Sequence, residues 1–274
     1  MFSRRSRTPG VTTRPSLGYV AGMAKHARDE RATTHFGFRQ VAAGDKASLV
    51  KDVFSSVADR YDLMNDLMSL GLHRLWKTAM VDWLAPRPGM AFLDVGGGTG
   101  DIAFRIVERG CKPVTVVDVN QDMLAQGRAR ALDRGILEGI EWIVGDAEAL
   151  PIADGAVDAV TTAFCIRNVT RIENVLAEAR RVLRPGGRFL CLEFSRLALP
   201  ALDGLYDTYS FKVLPALGER VAGDRAAYRY LAESIRRFPA QAAFARMIGA
   251  AGLSQVKVRN LAGGIAAIHS AWRL

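Results

Sequence analysis

FLDVGGGTGDIAFRI, residues 92–106, runs an apolar strand into a knot of glycines and then into a helical pattern. Glycines at 96, 97, 98 and 100 let the backbone turn sharply and approach a ligand closely, and the helix that follows offers unpaired N–H groups at its N-terminus. A dinucleotide fingerprint, GxGxxG, begun at Gly96 and Gly98 requires a further glycine at position 101, where Asp101 stands. An acid there repels a pyrophosphate. Asp94 and Asp101 bracket the turn and favour a ligand with a cationic or zwitterionic end.

Outward from this turn, short apolar runs alternate with amphipathic segments. Strands are predicted at 90–95, 114–119, 140–145, 157–164 and 188–194, with helical patterns such as MLAQGRARALDR and IENVLAEARRVL between them. Continuous apolar strands alternating with helices predict an α/β fold with a doubly wound, mostly parallel sheet covered on both faces. The closing segment SQVKVRNLAGGIAAIHSAWRL reads as a hairpin around LAGG, which makes the sheet seven-stranded with one reversed strand. Before the glycine turn, Leu49, Val53, Val57, Leu63, Leu67 and Leu70 recur at helical spacings, and Trp76, Met80 and Trp83 follow. Residues 45–85 therefore read as a helical lid, ended by the Pro-Arg-Pro-Gly at 86–89. Residues 199–235, with Leu199, Leu202, Leu205, Tyr206, Tyr209, Phe211, Val213 and Leu214, read as a second helical insertion beside the entry for an apolar substrate.

The 274 residues suit one large domain, assigned to 33–274, preceded by a basic extension at 1–32. Of the formal net charge of +9, the first 28 residues hold six basic residues and no acid, which leaves +3 for the rest. A core so mildly basic argues against a phosphate-tracking surface and so against nucleic acid as a partner, while permitting weak attraction to anionic lipid headgroups. The Arg-, Ser- and Thr-rich tail has the composition of an organellar transit peptide or of a disordered extension. Three cysteines without CxxC spacing support neither a disulfide framework nor a metal site. No apolar run approaches the roughly 20 residues of a membrane-spanning helix.

Acids recur at the ends of successive strands. Asp118 closes the strand after the glycine turn, where a carboxylate accepts both hydroxyls of a ribose, and Gly145-Asp146-Ala147 closes the next, placing Asp146 beside an adenine amino group. Acid, glycine turn, acid and acid make a site for an adenosine ligand without phosphates. DVGGGTGD, VVDVN, GDAEALP and RVLRPGGRFLCLEFS, in this order over about 100 residues, together resemble the class I S-adenosylmethionine-dependent methyltransferases.

Within that class, YDLMNDLMSLGLHRLWK at 61–77 resembles the ubiquinone and menaquinone biosynthesis C-methyltransferases. Tyr61, Asp62, Met64, Asn65, Met68, Ser69, His73 and Trp76 fill every position of their first signature, and Arg181, Val182, Pro185, Gly186, Gly187, Glu193 and Ser195 meet the second, with Arg184 where lysine is usual. The resemblance covers roughly residues 34–274 and implies S-adenosyl-L-methionine as cofactor, held by Asp94, Gly96, Gly98, Thr99, Asp118, Asp146, Ala147 and Ala163. Ala163 stands where serine is common, and Cys165 where glycine is usual.

The implied reaction is methyl transfer to a ring carbon of a polyprenylated benzoquinol, either 2-methoxy-6-polyprenyl-1,4-benzoquinol or demethylmenaquinol. Aromatic carbon attacks well only in an electron-rich ring, so the reduced quinol is the expected substrate. Arg167 and His73 are the candidate catalytic residues. The first would stabilise phenolate charge, since a guanidinium is a poor base, and the second would accept a proton. Tyr61, Asn65 and Asn168 are candidate substrate residues. A homodimer, a peripheral membrane contact and membership of a quinone-biosynthesis complex are the expected associations, in bacterial cytoplasm or, if the tail is a transit peptide, in the mitochondrial matrix. The competing readings are a catalytically weak, cofactor-binding scaffold, for which Ala163 is the sequence hint, and a methyltransferase for another small aromatic acceptor.

Overall fold

Each predicted strand alternates its side chains between two apolar layers. Phe92, Val114, Val116, Leu190 and Leu192 face one core, while Leu93, Val117, Phe189 and Cys191 face the other. Both faces of the sheet are thus buried, which explains why its strands read as continuous apolar runs rather than alternating ones. The computed structural model describes residues 32–56, 65–66, 68–69, 71–195, 216, 219–220 and 224–274. The tail, Tyr61 and the apolar residues 199–214 lie outside them.

A hairpin, β1 (Thr33–Phe36) and β2 (Arg39–Ala42), leads into α1 (Ala43–Ser56) and α2 (His73–Leu84). The wound part follows as β3 (Phe92–Val95), α3 (Asp101–Val107), β4 (Val114–Asp118), α4 (Gln121–Asp133), β5 (Ile140–Val144) and β6 (Val157–Ala163). It continues with α5 (Ile172–Val182), β7 (Leu183–Phe194), α6 (Arg225–Arg237), α7 (Gln241–Ala250), β8 (Ser254–Leu261) and β9 (Ala266–Trp272). The seven strands of the main sheet run in the order β5-β4-β3-β6-β7-β9-β8. All neighbours pair in parallel except β9, antiparallel to both β7 and β8, so the sheet carries one reversed strand as its pattern predicts.

Two features depart from the expectation. The β1–β2 hairpin is unforeseen, because its four-residue strands are mostly exposed and carry no apolar period. The strand expected at 188–194 begins earlier, at Leu183: the Pro-Gly-Gly passage stays in the sheet, where the Gly186 N–H donates to the Arg273 carbonyl at 2.6 Å. Among the described residues, no helix is long and apolar enough to cross a membrane.

The strand order reverses between β3 and β6, and such a switch point opens a crevice beyond the carboxyl ends of the strands. One side of that crevice is braced by Trp142 of β5, whose indole is pressed against both Gly100 and Gly127; a Cβ at either glycine would overlap the ring. Gly127 lies within α4, where alanine would gain about 1 kcal/mol of helix propensity, yet forcing a methyl into this contact costs about 1–3 kcal/mol. The clash outweighs the propensity, so Gly127→Ala is expected to destabilise by up to about 2 kcal/mol in urea unfolding.

Candidate active site

Loops at the carboxyl ends of β3, β4, β5 and β6 line one cleft, which encloses about 880 Å³ of empty space, part of it open to solvent. Gly96 and Gly98 come from the first loop, Asp118, Val119 and Asn120 from the second, Gly145 to Glu148 from the third, and Phe164, Cys165 and Asn168 to Thr170 from the fourth. Gly96 (φ 63°) and Gly98 (φ 52°) are both left-handed, a conformation that side chains resist. At Gly96 a Cβ would also overlap the Cys165 sulfur. The backbone is therefore bare where it faces the cleft.

Asp118 accepts from the Gly98 N–H at 2.9 Å through Oδ2 and from the Asn120 N–H at 2.8 Å through Oδ1. The carboxylate keeps acceptor capacity for a ligand hydroxyl beyond these backbone donors. Burial pushes its carboxyl up to about 6, against the pull of backbone N–H groups from Asn120, Gly98 and Val119. Asp94 is buried beneath the turn, its Oδ1 accepting from the Thr161 hydroxyl at 2.8 Å and its Oδ2 without a hydrogen-bond partner among the described residues. Burial lifts this carboxyl to about 7, opposed by Thr161 and Lys77. Asp94 does not itself line the cleft: its unpartnered oxygen lies under Gly97, where a Cβ would overlap it, so the carboxyl acts on the turn from beneath.

Asp101 does not complete the bracket of acids. The buried Lys77 ammonium of α2 reaches its Oδ2 at 2.8 Å, and Arg105 lies 3.4 Å from Oδ1. Burial alone would raise this carboxyl, but Lys77 and Arg105 outweigh it and hold it at about 2. Its charge is spent on the lid helix rather than offered to the cleft.

Of the other candidate cofactor residues, Asp146 and Ala147 line the cleft, whereas Thr99 and Ala163 do not. Thr99 is buried and accepts from Arg130 at 3.0 Å through its hydroxyl, and Ala163 packs against the core at the end of β6. Asn168 lines the cleft and accepts from the Tyr230 hydroxyl at 3.1 Å. Its neighbour Arg167 is buried in an ion pair with Glu193 at 2.7 Å, also donates to the Phe164 carbonyl at 2.6 Å, and leaves Nε without a partner. Removing either member of such a pair costs about 3–5 kcal/mol. His73 is buried away from the cleft lining, its Nε2 2.9 Å from Asp66 Oδ1 and its Nδ1 unpartnered among the described residues. Burial, with Lys77 nearby, lowers its pKa and keeps the ring neutral at pH 7. Asn65 is likewise buried, with Nδ2 unpartnered among the described residues.

The outer wall comes from the segment expected as a helical lid, but the residues that form it were not singled out in the sequence. Ala47, Val50, Lys51 and Phe54 of α1 line it, a spacing of three and four that marks one helix face. That periodicity was legible as amphipathic, but nothing local says whether such a face meets core or ligand. Among the described residues, no group of three or more His, Cys, Asp or Glu converges as a metal site.

The chain is similar in sequence and in fold to known proteins. A protein of Paracoccus denitrificans named ubiquinone/menaquinone biosynthesis C-methyltransferase UbiE is 59% identical over 248 residues, 90% of this chain and 99% of its own length. A protein of the same name from Roseobacter denitrificans is 55% identical over 90% of this chain and 99% of its own. Among solved structures, a SAM-dependent methyltransferase of Thermotoga maritima, described as a possible histamine N-methyltransferase, superposes with TM-score 0.58 at 19% identity, over 82% of this chain and all of that one. A SAM-dependent methyltransferase of Aquifex aeolicus gives TM-score 0.55 at 17% identity, over 77% of this chain and 97% of its own. At such identities these two establish the fold alone. Residues 40–273 match the ubiE/COQ5 methyltransferase family, and the chain belongs to it.

Proposed function

We propose that the chain methylates a ring carbon of a polyprenylated benzoquinol, 2-methoxy-6-polyprenyl-1,4-benzoquinol or demethylmenaquinol, with S-adenosyl-L-methionine as donor, in ubiquinone and menaquinone biosynthesis. What carries the reading is a single conjunction: a carboxylate with spare acceptor capacity, Asp118, beside a bare glycine turn, in a chain 59% identical to a protein named for this C-methylation. When bound, the cofactor supplies an electrophilic methyl group on a cationic sulfur.

The residues present fit that group. Asp118 receives the ribose hydroxyls, Gly96 and Gly98 admit the ligand to backbone distance, Asp146 and Ala147 flank the base, and Asp94 balances cationic charge from below the turn. Thr99 and Ala163 contribute by holding the turn and the end of β6. Asn168 orients the quinol ring, Asn65 and Tyr61 are the further candidate substrate residues, the latter outside the described residues, and Arg167 stabilises developing phenolate charge while Glu193 fixes its position. His73, the candidate proton acceptor, is buried away from the cleft lining and paired with Asp66, so its proposed part is to brace the start of α2 rather than to accept the proton. Burial keeps it neutral, with Nε2 donating to Asp66. Residues 33–274 are the proposed methyltransferase domain, with α1 as the part of the expected lid that meets the cleft; the expected insertion at 199–235 lies largely outside the described residues. The bacterial relatives support a cytoplasmic enzyme, and contact with its lipid substrate at the inner membrane is part of the proposal. Homodimerisation and a place in a quinone-biosynthesis complex belong to the same reading.

Methyl transfer from labelled cofactor to a short-chain 2-methoxy-6-prenyl benzoquinol is expected to require reductant and to label the ring carbon. Asp118→Ala should raise the cofactor Kd by at least about tenfold, the loss of hydrogen bonds to a charged group. Cofactor binding without transfer to this acceptor or to a demethylmenaquinol would overturn the proposal.

Cofactor affinity should also climb with pH. In the free site the carboxyls of Asp118 and Asp94 titrate at about 6 and about 7, and a cationic ligand prefers them ionised. Binding therefore strengthens from about pH 5 to 8 and releases protons across that window, measurable by calorimetry in buffers of different ionisation enthalpy.

A further inference from the structure

α1 lies across the cleft, and its two ends are fastened to opposite sides of it. Near its start, the buried Lys46 ammonium donates to the Val169 carbonyl at 2.7 Å, on the loop after β6. Near its end, the side-chain amide of Asn120, on the loop after β4, donates to Ser55 Oγ at 3.1 Å and to the Lys51 carbonyl at 3.5 Å. Ser55 passes its own proton to Asp122 Oδ2 at 3.2 Å.

Asn120 is 2% exposed and every polar side-chain atom of it is engaged. Oδ1 caps α4, accepting from the N–H groups of Asp122 at 2.9 Å and Met123 at 3.2 Å. Its backbone N–H donates to Asp118 Oδ1 at 2.8 Å. Capping needs only the oxygen, and serine or aspartate supplies one equally well. The amide nitrogen is surplus to that task, and it is directed at the cleft wall. One buried residue thus touches the wall, the helix cap and the carboxylate together.

We infer that Asn120 is a positioning residue that couples the docking of α1 to occupancy of the Asp118 carboxylate. A ligand held by Asp118 stiffens the wall through Asn120, and by linkage a docked wall tightens the ligand by the same factor. The inference rests on the cofactor reading of the cleft.

The test is hydrogen exchange of the full chain with and without S-adenosylhomocysteine, paired with calorimetry of the same ligand. In the native sequence, ligand should slow exchange at amides 47–56. Asn120→Ser keeps a capping oxygen but cannot reach α1, and Ser55→Ala removes the partner on the helix. Each should weaken binding by about three- to tenfold and abolish the ligand-induced protection. The double variant should bind no worse than Asn120→Ser alone, because both break one connection. The KM for the cofactor should rise with kcat little changed.

Native affinity and protection in Ser55→Ala, or fully additive losses in the double variant, would overturn the coupling even if Asn120→Ser proved unstable. Failure of the native chain to bind S-adenosylhomocysteine would instead sink the functional reading. Ordinary binding without protection of α1 would sink the inference alone.

Discussion

Carboxylates crowded into a low-dielectric site repel one another, and each that stays ionised needs a cation or a set of N–H groups close by. Asp94, Asp101 and Asp118 meet this constraint in three ways. Asp101 takes Lys77 from α2 at 2.8 Å, Asp118 takes backbone N–H groups from two flanking loops, and Asp94 takes a single hydroxyl, leaving one oxygen unmatched. Only the first carries a full countercharge within the protein. Asp118 leaves the cleft electrostatically unfinished in the direction that a positively charged ligand would complete, beside Gly96 and Gly98, while Asp94 adds its charge from beneath the turn, outside the cleft lining.

The same economy explains the placement of the preceding helices. Lys77 makes α2 part of the site's charge balance although α2 contributes nothing to the cleft lining, and Trp76 beside it packs edge-on to Phe194 at the end of β7. α1 does the reverse, lending a face to the cleft while its ends are tied to loops on either side. One helix is anchored by charge and aromatic packing in the core. The other is anchored by the ammonium of Lys46, by Asn120, by Ser55 and Ser56 donating to Asp122 and Asp224, and by Leu49, Val50 and Val53 against the core.

The sheet was legible because both of its faces are buried, so that Phe92 to Val95 and Val114 to Val117 carry apolar residues toward both faces, interrupted by Asp94 and by Thr115. The roles of Asp118 and Asp146 as cleft acids followed from their position at strand ends, a local property. Asp101 was misread as facing the ligand because its partner lies 24 residues away on another helix, and charge counting along the chain does not reveal a pairing made by tertiary packing. Arg167 shows the same limit: the motif marks it as functional, yet the buried Glu193 that holds it is 26 residues distant. The hairpin at Thr33–Ala42 escaped notice for a different reason, since strands this short and exposed owe their form to pairing rather than to composition.

The close fit between Gly96 and Cys165 bears on the order in which this chain could have changed. The thiol fills the volume in which a Cβ at position 96 would lie. A smaller residue at 165 would leave that volume open, so cysteine can be acquired there only on a background that already has glycine at 96. Once acquired, it closes the return path: any substitution at 96 must wait for 165 to shrink first. The pair is a ratchet, and the glycine whose left-handed backbone the turn requires is held a second time, by a neighbour 69 positions along the chain.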